Sequence, residues 1–137
     1  MKILILTNST NSKGLIDWLR NKAKEKVIVL NSKILEKDIL FYNPNWVISY
    51  NYKHIIEKNV LDILPDKFIN LHISFLPWNR GADPNVWSFL EDTTKGVTIH
   101  LIDKDIDTGR ILLQKNLIFN EERETLKSSY MTLQKEI

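Results

Sequence analysis

The sequence contains no cysteine, little excess charge and no long apolar run, and each absence excludes a class of protein. Without cysteine among its 137 residues, it can form no disulfide, zinc–thiolate site, iron–sulfur cluster or thiol nucleophile, which suits a reducing cytoplasm. Its 19 lysines and arginines and 17 aspartates and glutamates leave a net charge of +2, which gives little support for binding nucleic acid or a membrane surface. No apolar run approaches the roughly 20 residues that span a bilayer. We therefore expect a cytoplasmic globular protein without a membrane or nucleic-acid partner.

The sequence also lacks the glycine-rich signals of the common nucleotide-binding enzymes. Residues 8–14, which follow the first predicted strand, hold a single glycine, so neither a P-loop nor a dinucleotide-binding fingerprint is present. A serine nucleophile elbow is absent as well. These absences count against kinases, GTPases, dehydrogenases and serine hydrolases.

Short apolar runs alternate with helix-like spacing of apolar residues through the first half of the chain. This alternation predicts parallel strands joined by helices. The first two strands are continuous apolar runs, which are typical of strands buried on both faces. Strands are predicted at 3–6, 27–30, 46–49 and 68–71, and helices over 15–19, 34–40 and 55–64.

The second half departs from this alternation and predicts a different set of elements. A short connection before the last strand makes that strand antiparallel to its predecessor. The whole sequence predicts one α/β domain over residues 1–137, with a Rossmann-like, mostly parallel sheet, helices on both faces and a C-terminal antiparallel hairpin strand. The elements expected here are a polar loop at 72–83, a helix opened by Pro84, strands at 97–101 and 111–119, and a closing helix from Thr125.

Asn70 and His72 are the first pair that could carry chemistry. Residues two apart on a strand point to the same side, so the amide and the imidazole would converge where the fourth strand ends. Such a pair of donors suits an oxygen that gains negative charge. A structural alternative is an asparagine that caps the loop backbone beside an ordinarily satisfied histidine.

Three carboxylates lie within five residues in the segment 103–109. Their spacing matches the first positions of an EF-hand loop, but no bidentate glutamate follows at the end of such a loop, so no metal site is predicted. A carboxylate of this turn could instead orient His72 and favour its charged form. A solvated acidic turn is the alternative.

Two loops carry aromatic side chains of the kind that contact ligands. The loop 74–84 is long for a compact domain and contains Trp78 and Arg80, and such loops are usually functional. The segment 50–54 places aromatic rings at a strand end, where they can stack on a planar ligand or simply pack at the rim. His100 is expected to be a strand residue with a local partner.

These pieces together resemble the folate-dependent formyltransferase family, which includes the methionyl-tRNA, glycinamide ribonucleotide and sugar-nucleotide N-formyltransferases. The resemblance covers residues 46–115, and its loop is most similar to that of the sugar-nucleotide members. The motifs that carry it, in family order, are Asn70-Leu71-His72, Ser74-Phe75-Leu76-Pro77, Arg80-Gly81, Pro84, Gly96-Val97-Thr98-Ile99-His100 and Asp107-Thr108-Gly109.

The resemblance implies a catalytic triad of Asn70, His72 and Asp107, with Asp105 as the less favoured carboxylate. It implies that an amine attacks the formyl carbon of 10-formyltetrahydrofolate as co-substrate and that no metal takes part. Asn70 and a protonated His72 would stabilise the oxyanion, and Asp107 would orient His72. One catalytic core, either naturally short or truncated at its C-terminus, would hold this machinery.

The resemblance also implies where the ligands bind. Trp78 could stack on a sugar or base, Arg80 could meet a phosphate, and Asn8 would be a third contact to the acceptor. The acceptor is expected to be a nucleotide-linked amino sugar, and a homodimer is an open prediction. The pterin pocket would lie between two segments, with Tyr52, His54, Ile55 and Ile56 on one and Ile102, Asp103 and Asp105 on the other.

Several alternatives remain open at this point. The amine could belong to methionyl-tRNA or to glycinamide ribonucleotide, although the family's glycine-rich phosphate loop is replaced here by residues 8–13. Water could replace the amine, which would make the protein a 10-formyltetrahydrofolate hydrolase. A folate-binding module without turnover is the alternative outside catalysis.

Overall fold

The computed structural model describes all residues from Met1 to Ile137. None of its helices is long and apolar enough to cross a membrane. A short 3-10 turn, Thr10–Ser12, precedes the first helix. The strands are β1 (Lys2–Leu6), β2 (Lys26–Leu30), β3 (Trp46–Tyr50), β4 (Phe68–His72), β5 (Gly96–Leu101) and β6 (Ile111–Asn116), and the helices are α1 (Lys13–Asn21), α2 (Glu36–Tyr42), α3 (Lys58–Ile63), α4 (Pro84–Leu90) and α5 (Leu126–Glu136).

The strands form a sheet in the order β2-β1-β3-β4-β5-β6. β1 pairs in parallel with both β2 and β3, whereas β5 and β6 are antiparallel. The predicted α/β fold, with a mostly parallel sheet and an antiparallel final strand, is confirmed. The chain divides into two compact units, Met1–Asn70 and Leu71–Ile137.

The first unit is centred on β1, whose residues Ile3 to Leu6 are at most 5% exposed. This agrees with the apolar run that predicts a strand buried on both faces. The same prediction for β2 is wrong, since Val29 is 41% exposed and no residue of this strand is fully buried. β2 is an edge strand, and an edge position covers less of a strand than a central one.

Two helices of the first unit begin later than their apolar spacing predicts. Leu35 is the N-cap of α2 and its backbone N–H donates to the Asp38 carboxylate at 2.8 Å. Ile55 and Ile56 precede Glu57, the N-cap of α3. Apolar side chains just outside a helix continue its spacing, so periodicity alone places the start too early.

The second unit follows the prediction at α4 and α5. Pro84 occupies the first turn of α4, and Thr125 caps α5 by accepting a hydrogen bond from the Ser128 N–H at 3.0 Å. β6 ends at Asn116 and not at the predicted residue 119. Phe119 instead packs against a core cluster that contains Val97 and Leu133.

Gly109 is a position where the fold permits no side chain. A Cβ there would lie 1.8 Å from the carbonyl oxygen of Leu101, whereas a Cβ on Gly14 in α1 would meet nothing within 4 Å. We expect Gly109→Ala to lower the free energy of unfolding by roughly 1–3 kcal/mol through overpacking. Gly14→Ala, the matched control, is expected to raise it by up to about 1 kcal/mol because alanine favours helix.

Urea unfolding of both variants checks this prediction. Equal stabilities for Gly109→Ala and the unmodified chain would mean that the 101–109 turn adjusts without cost. The expected loss would establish that this turn, which carries Asp107, is held close to the backbone at Leu101.

Candidate functional site

The end of β4 places the predicted Asn70 and His72 on one strand. They are two residues apart within Phe68–His72, so their side chains project from the same side of it. His72 is 7% exposed and Asn70 is partly buried. The strand on which the prediction depends is therefore present, and the convergence of the amide and the imidazole stays a prediction.

His72 is held by a backbone carbonyl and faces a carboxylate. Its Nε2 lies 3.1 Å from the carbonyl oxygen of Asn79 and 3.7 Å from Oδ2 of Asp107. A carbonyl oxygen only accepts, so Nε2 carries a proton and donates it to Asn79. Burial lowers the pKa of His72, although Asp107 and the Asn79 carbonyl act in the opposite direction. Burial therefore favours the neutral form of the ring, and the protonated imidazole that the resemblance implies during catalysis stays a prediction.

Asp107 is a largely buried carboxylate, with its side chain 11% exposed, and it has contacts on both oxygens. The Gly81 N–H donates to Oδ2 at 2.8 Å, and Nε2 of His100 lies 3.3 Å from Oδ1. Burial raises the pKa of Asp107, but the hydrogen bond from His100, the charge of His72 and the Gly81 N–H together lower it to about 2. Asp107 is thus ionised, and at 3.7 Å it acts on His72 through its charge, since this distance is too long for a direct hydrogen bond.

His100 is a site residue that the sequence reasoning missed. It is 1% exposed, and its Nδ1 donates to the Leu101 carbonyl at 2.7 Å while its Nε2 faces Asp107. Both ring nitrogens therefore face oxygen acceptors. The signal was available, because His100 ends the Gly-x-Thr-x-His motif.

The loop after β4 brings the predicted substrate residues close to His72. Trp78 is 50% exposed and Arg80 is exposed. They lie on either side of Asn79, whose carbonyl contacts His72. The Leu76–Pro77 peptide bond in this loop is cis. Two exposed side chains that can contact a ligand therefore border the residue that holds the imidazole.

The acidic turn of the second unit uses one of its carboxylates to stabilise itself. Oδ1 of Asp103 accepts from the Asp105 N–H at 3.1 Å and from the Thr108 hydroxyl at 2.6 Å. Asp105 is exposed and Ile102 is partly buried. Among the carboxylates of this turn, Asp107 is the one that faces the two histidines. No group of three or more His, Asp or Glu side chains is arranged to hold a metal ion.

The remaining predicted pterin residues lie in the first unit, where their environments differ. The Tyr52 hydroxyl donates to the Ser32 carbonyl at 2.7 Å and accepts from the Ile34 N–H at 2.8 Å. His54 packs edge-on against the Tyr52 ring at 5.1 Å. Ile55 is 69% exposed whereas Ile56 is 9% exposed. Ile55 is therefore the side chain that is open to a ligand, and Ile56 contributes to the core.

Asn8 borders a cavity of about 490 Å³ within the first unit. Its Nδ2 donates to the Asn31 carbonyl at 2.6 Å and its Oδ1 accepts from the Lys53 N–H at 3.0 Å. Both the oxygen and the nitrogen of this amide are thus already hydrogen-bonded to neighbouring loops.

Asn51, which follows β3, has a φ of 52°, a left-handed conformation that asparagine tolerates.

Comparison with known proteins identifies the family of the chain. A formyl transferase family model matches residues 20–137. The formyltransferase PseJ from Anoxybacillus kamchatkensis, solved in complex with UDP-4,6-dideoxy-4-formamido-L-AltNAc and tetrahydrofolate, is 42% identical. It superposes with a TM-score of 0.90 over 99% of this chain and 70% of its own. A sugar N-formyltransferase from a Shewanella species is 25% identical, with a TM-score of 0.80 over 99% of this chain and 64% of its own.

Another relative is named for a different acceptor. The methionyl-tRNA formyltransferase of Thermodesulfovibrio yellowstonii is 41% identical over 87 residues, which are 63% of this chain and 28% of that protein. The chain thus spans less than a third of this relative's length. The family model, by contrast, matches more than half of this chain. The chain belongs to the formyl transferase family.

Proposed function

We propose that this chain transfers a formyl group from 10-formyltetrahydrofolate to a primary amine of a nucleotide-linked amino sugar. The observation that carries the proposal is the pairing of the buried His72, at the end of β4, with the largely buried and ionised Asp107. It stands within a family whose member PseJ was solved with tetrahydrofolate and a formamido sugar nucleotide. Asn70, His72 and Asp107 are the proposed catalytic residues.

The contacts of His72 support a specific proton path. Nε2 donates to Asn79, so the lone pair of the neutral ring is on Nδ1. The amine nitrogen forms a bond to the formyl carbon, and Nδ1 takes the proton that this nitrogen loses. The resulting imidazolium faces the ionised Asp107 and offers positive charge to the oxyanion.

The second half of the reaction returns this proton. The bond between the formyl carbon and N10 of the folate breaks, its electron pair goes to N10, and N10 is protonated through His72 or water. The products are a formamide and tetrahydrofolate. Asn70 donates its amide N–H to the oxyanion, and a donor of this kind lowers the barrier by about 3 kcal/mol.

The ligand contacts in the proposal follow the predicted residues. Trp78 and Arg80 border Asn79 and are exposed, so we assign them with Asn8 to the acceptor. The co-substrate is assigned to Ile55 through its exposed side chain and to the backbone of the 102–105 turn. The Oδ1 atom of Asp103 is not assigned to the co-substrate, because it already accepts hydrogen bonds within the turn. The cytoplasmic location and the homodimer stay predictions.

Methionyl-tRNA is the second candidate acceptor. It is supported by the 41% identity to a methionyl-tRNA formyltransferase over 87 residues. A net charge of +2 gives little electrostatic attraction for a polyanion of this size. The amino sugar is favoured because the likeness to PseJ extends over 99% of the chain at a similar identity.

A labelled-formyl assay tests the function. The purified chain is incubated with 10-formyltetrahydrofolate and, separately, a UDP-linked 4-amino sugar, methionyl-tRNA, glycinamide ribonucleotide or buffer alone. We expect label in the sugar, with one tetrahydrofolate released for each formamide formed. Release of tetrahydrofolate in buffer alone would indicate a hydrolase. Label in methionyl-tRNA would identify methionyl-tRNA as the acceptor in place of the amino sugar.

Calorimetry with a stable folate analogue separates the remaining outcomes. Binding of the analogue without turnover of any amine would indicate a folate-binding module. Absence of binding would contradict the proposed co-substrate itself.

A further inference from the structure

The carbonyl that holds His72 belongs to a residue with an unusual backbone conformation. Asn79 has a φ of 54°, in the left-handed region that few residues other than glycine and asparagine adopt without strain. Its carbonyl oxygen accepts from Nε2 of His72 at 3.1 Å. A residue in this conformation needs other contacts to keep its carbonyl in a fixed direction.

The side chain of Asn79 supplies those contacts at both ends of its amide. Oδ1 accepts from the Thr93 hydroxyl at 2.6 Å, and Nδ2 donates to the Glu91 carboxylate at 3.2 Å. Thr93 is itself held, since its backbone N–H donates to the Ser88 carbonyl of α4 at 3.1 Å. The segment that follows α4 therefore fixes the orientation of Asn79 without touching His72.

The preceding part of the loop is fixed by a second set of contacts. The buried Thr98 hydroxyl donates to the Ser74 carbonyl at 2.7 Å and accepts from the Leu76 N–H at 3.2 Å. Gln114 of β6 donates to the Leu76 carbonyl at 2.7 Å. The Ser74 hydroxyl donates to the Trp78 carbonyl at 2.8 Å, directly before Asn79. The loop thus reaches Asn79 in one defined path.

We propose that Asn79 is a positioning residue whose main-chain carbonyl keeps the proton of His72 on Nε2, and that Thr93 holds this carbonyl in place through the Asn79 side chain. The consequence is that Nδ1 is the nitrogen with a lone pair. In a neutral imidazole one nitrogen donates and the other accepts, and the acceptor bonded at one nitrogen selects the tautomer. The role of this hydrogen bond in catalysis rests on the proposed function, whereas the choice of tautomer does not depend on it.

Nitrogen-15 NMR of the imidazole rings tests the proposal without substrate, because protonated and unprotonated ring nitrogens have separate chemical shifts. His72→Gln identifies the His72 signals by their disappearance. In the unmodified chain at mildly alkaline pH, we expect a protonated Nε2 and an unprotonated Nδ1. Thr93→Val removes the hydroxyl at nearly constant volume, and we expect both His72 shifts to move towards the average of two tautomers. Thr93→Ser, the matched control, is expected to keep the original shifts.

A second variant covers the case in which Thr93→Val does not fold. Asn79→Gly keeps the left-handed backbone accessible while deleting both side-chain contacts, and it is expected to show the same averaging. The proposal is overturned if the unmodified chain has its proton on Nδ1. It is equally overturned if Thr93→Val and Asn79→Gly both fold and keep only the tautomer with the proton on Nε2.

Kinetics with the labelled-formyl assay separates this proposal from the proposed function. In Thr93→Val we expect kcat to fall with KM unchanged, by less than the roughly 100-fold that loss of an acid–base group costs. If the tautomer behaves as expected but no amine is formylated by any form of the chain, the proposed function fails and the positioning role stands. If formyl transfer occurs but the tautomer does not respond, the positioning role fails alone.

Discussion

His72→Gln is expected to lower kcat for formyl transfer by roughly 10²–10⁴-fold, the contribution of a positioned acid–base group. Glutamine has a similar length, and its amide can still donate to the Asn79 carbonyl that His72 contacts at 3.1 Å. It cannot take a proton from the amine or become positively charged next to Asp107. The variant therefore removes the chemistry of the ring while keeping the hydrogen bond that holds it. The rate is measured as formamide formed under saturating acceptor.

The control places the same new side chain where no chemistry is proposed. Lys37 is exposed on α2, and Lys37→Gln is expected to leave both kcat and the unfolding midpoint unchanged. Circular dichroism of His72→Gln checks that the fold is retained. A rate within tenfold of the unmodified chain would remove His72 from the proposed catalytic residues and leave Asn70 to be tested alone.

Asp107→Asn is expected to reduce both activity and stability. The carboxylate accepts from Gly81 at 2.8 Å and lies 3.3 Å from His100 and 3.7 Å from His72. An asparagine oxygen can replace the contact to Gly81, but the amide brings no charge to either histidine. We expect a loss of roughly 100-fold in kcat and of about 2 kcal/mol in the free energy of unfolding at pH 7, the range for a hydrogen bond to a charged group.

The stability difference has a defined pH dependence. The pKa of Asp107 is about 2 in the fold, below its ordinary value of 3.8, so the folded state binds this proton less well than the unfolded state. A carboxylate with a lowered pKa contributes stability above the unfolded value, and that contribution is lost as the pH falls through the folded one. The contribution of the Asp107 carboxylate to the gap between the unmodified chain and Asp107→Asn is therefore lost between about pH 4 and pH 2.

Urea unfolding at several pH values measures this gap. Asp62 is the matched control, since it is an exposed carboxylate on α3 that pairs with Lys58 four residues before it. Asp62→Asn is expected to change stability by less than about 0.5 kcal/mol at any pH. A gap for Asp107→Asn that persists unchanged at pH 2 would show that the carboxylate charge is not the source of the stabilisation.

Much of the fold was predictable because local patterns determine it. The apolar run at Ile3–Leu6 is typical of a strand covered on both faces, and β1 is such a strand. Pro84 and Thr125 have local effects on the backbone that mark where α4 and α5 begin. The exposure of β2 was not predictable in this way, because Val27 to Leu30 is as apolar as a central strand. Only the order of strands decides which run lies at the edge.

The candidate site, like the fold, was predictable from the sequence only in part. The sequence by itself determined that Asn70 and His72 share one side of a strand, since alternation is a property of any strand, and its motifs pointed to Asp107. Only the tertiary structure decided the protonation and partners of these groups. Burial favours the neutral form of His72, and the Asn79 carbonyl selects its Nε2 proton. His100 joins the site because the turn after β5 returns Asp107 to within 3.3 Å of it. Such effects depend on dielectric and on distances between residues far apart in the chain, which no local pattern encodes.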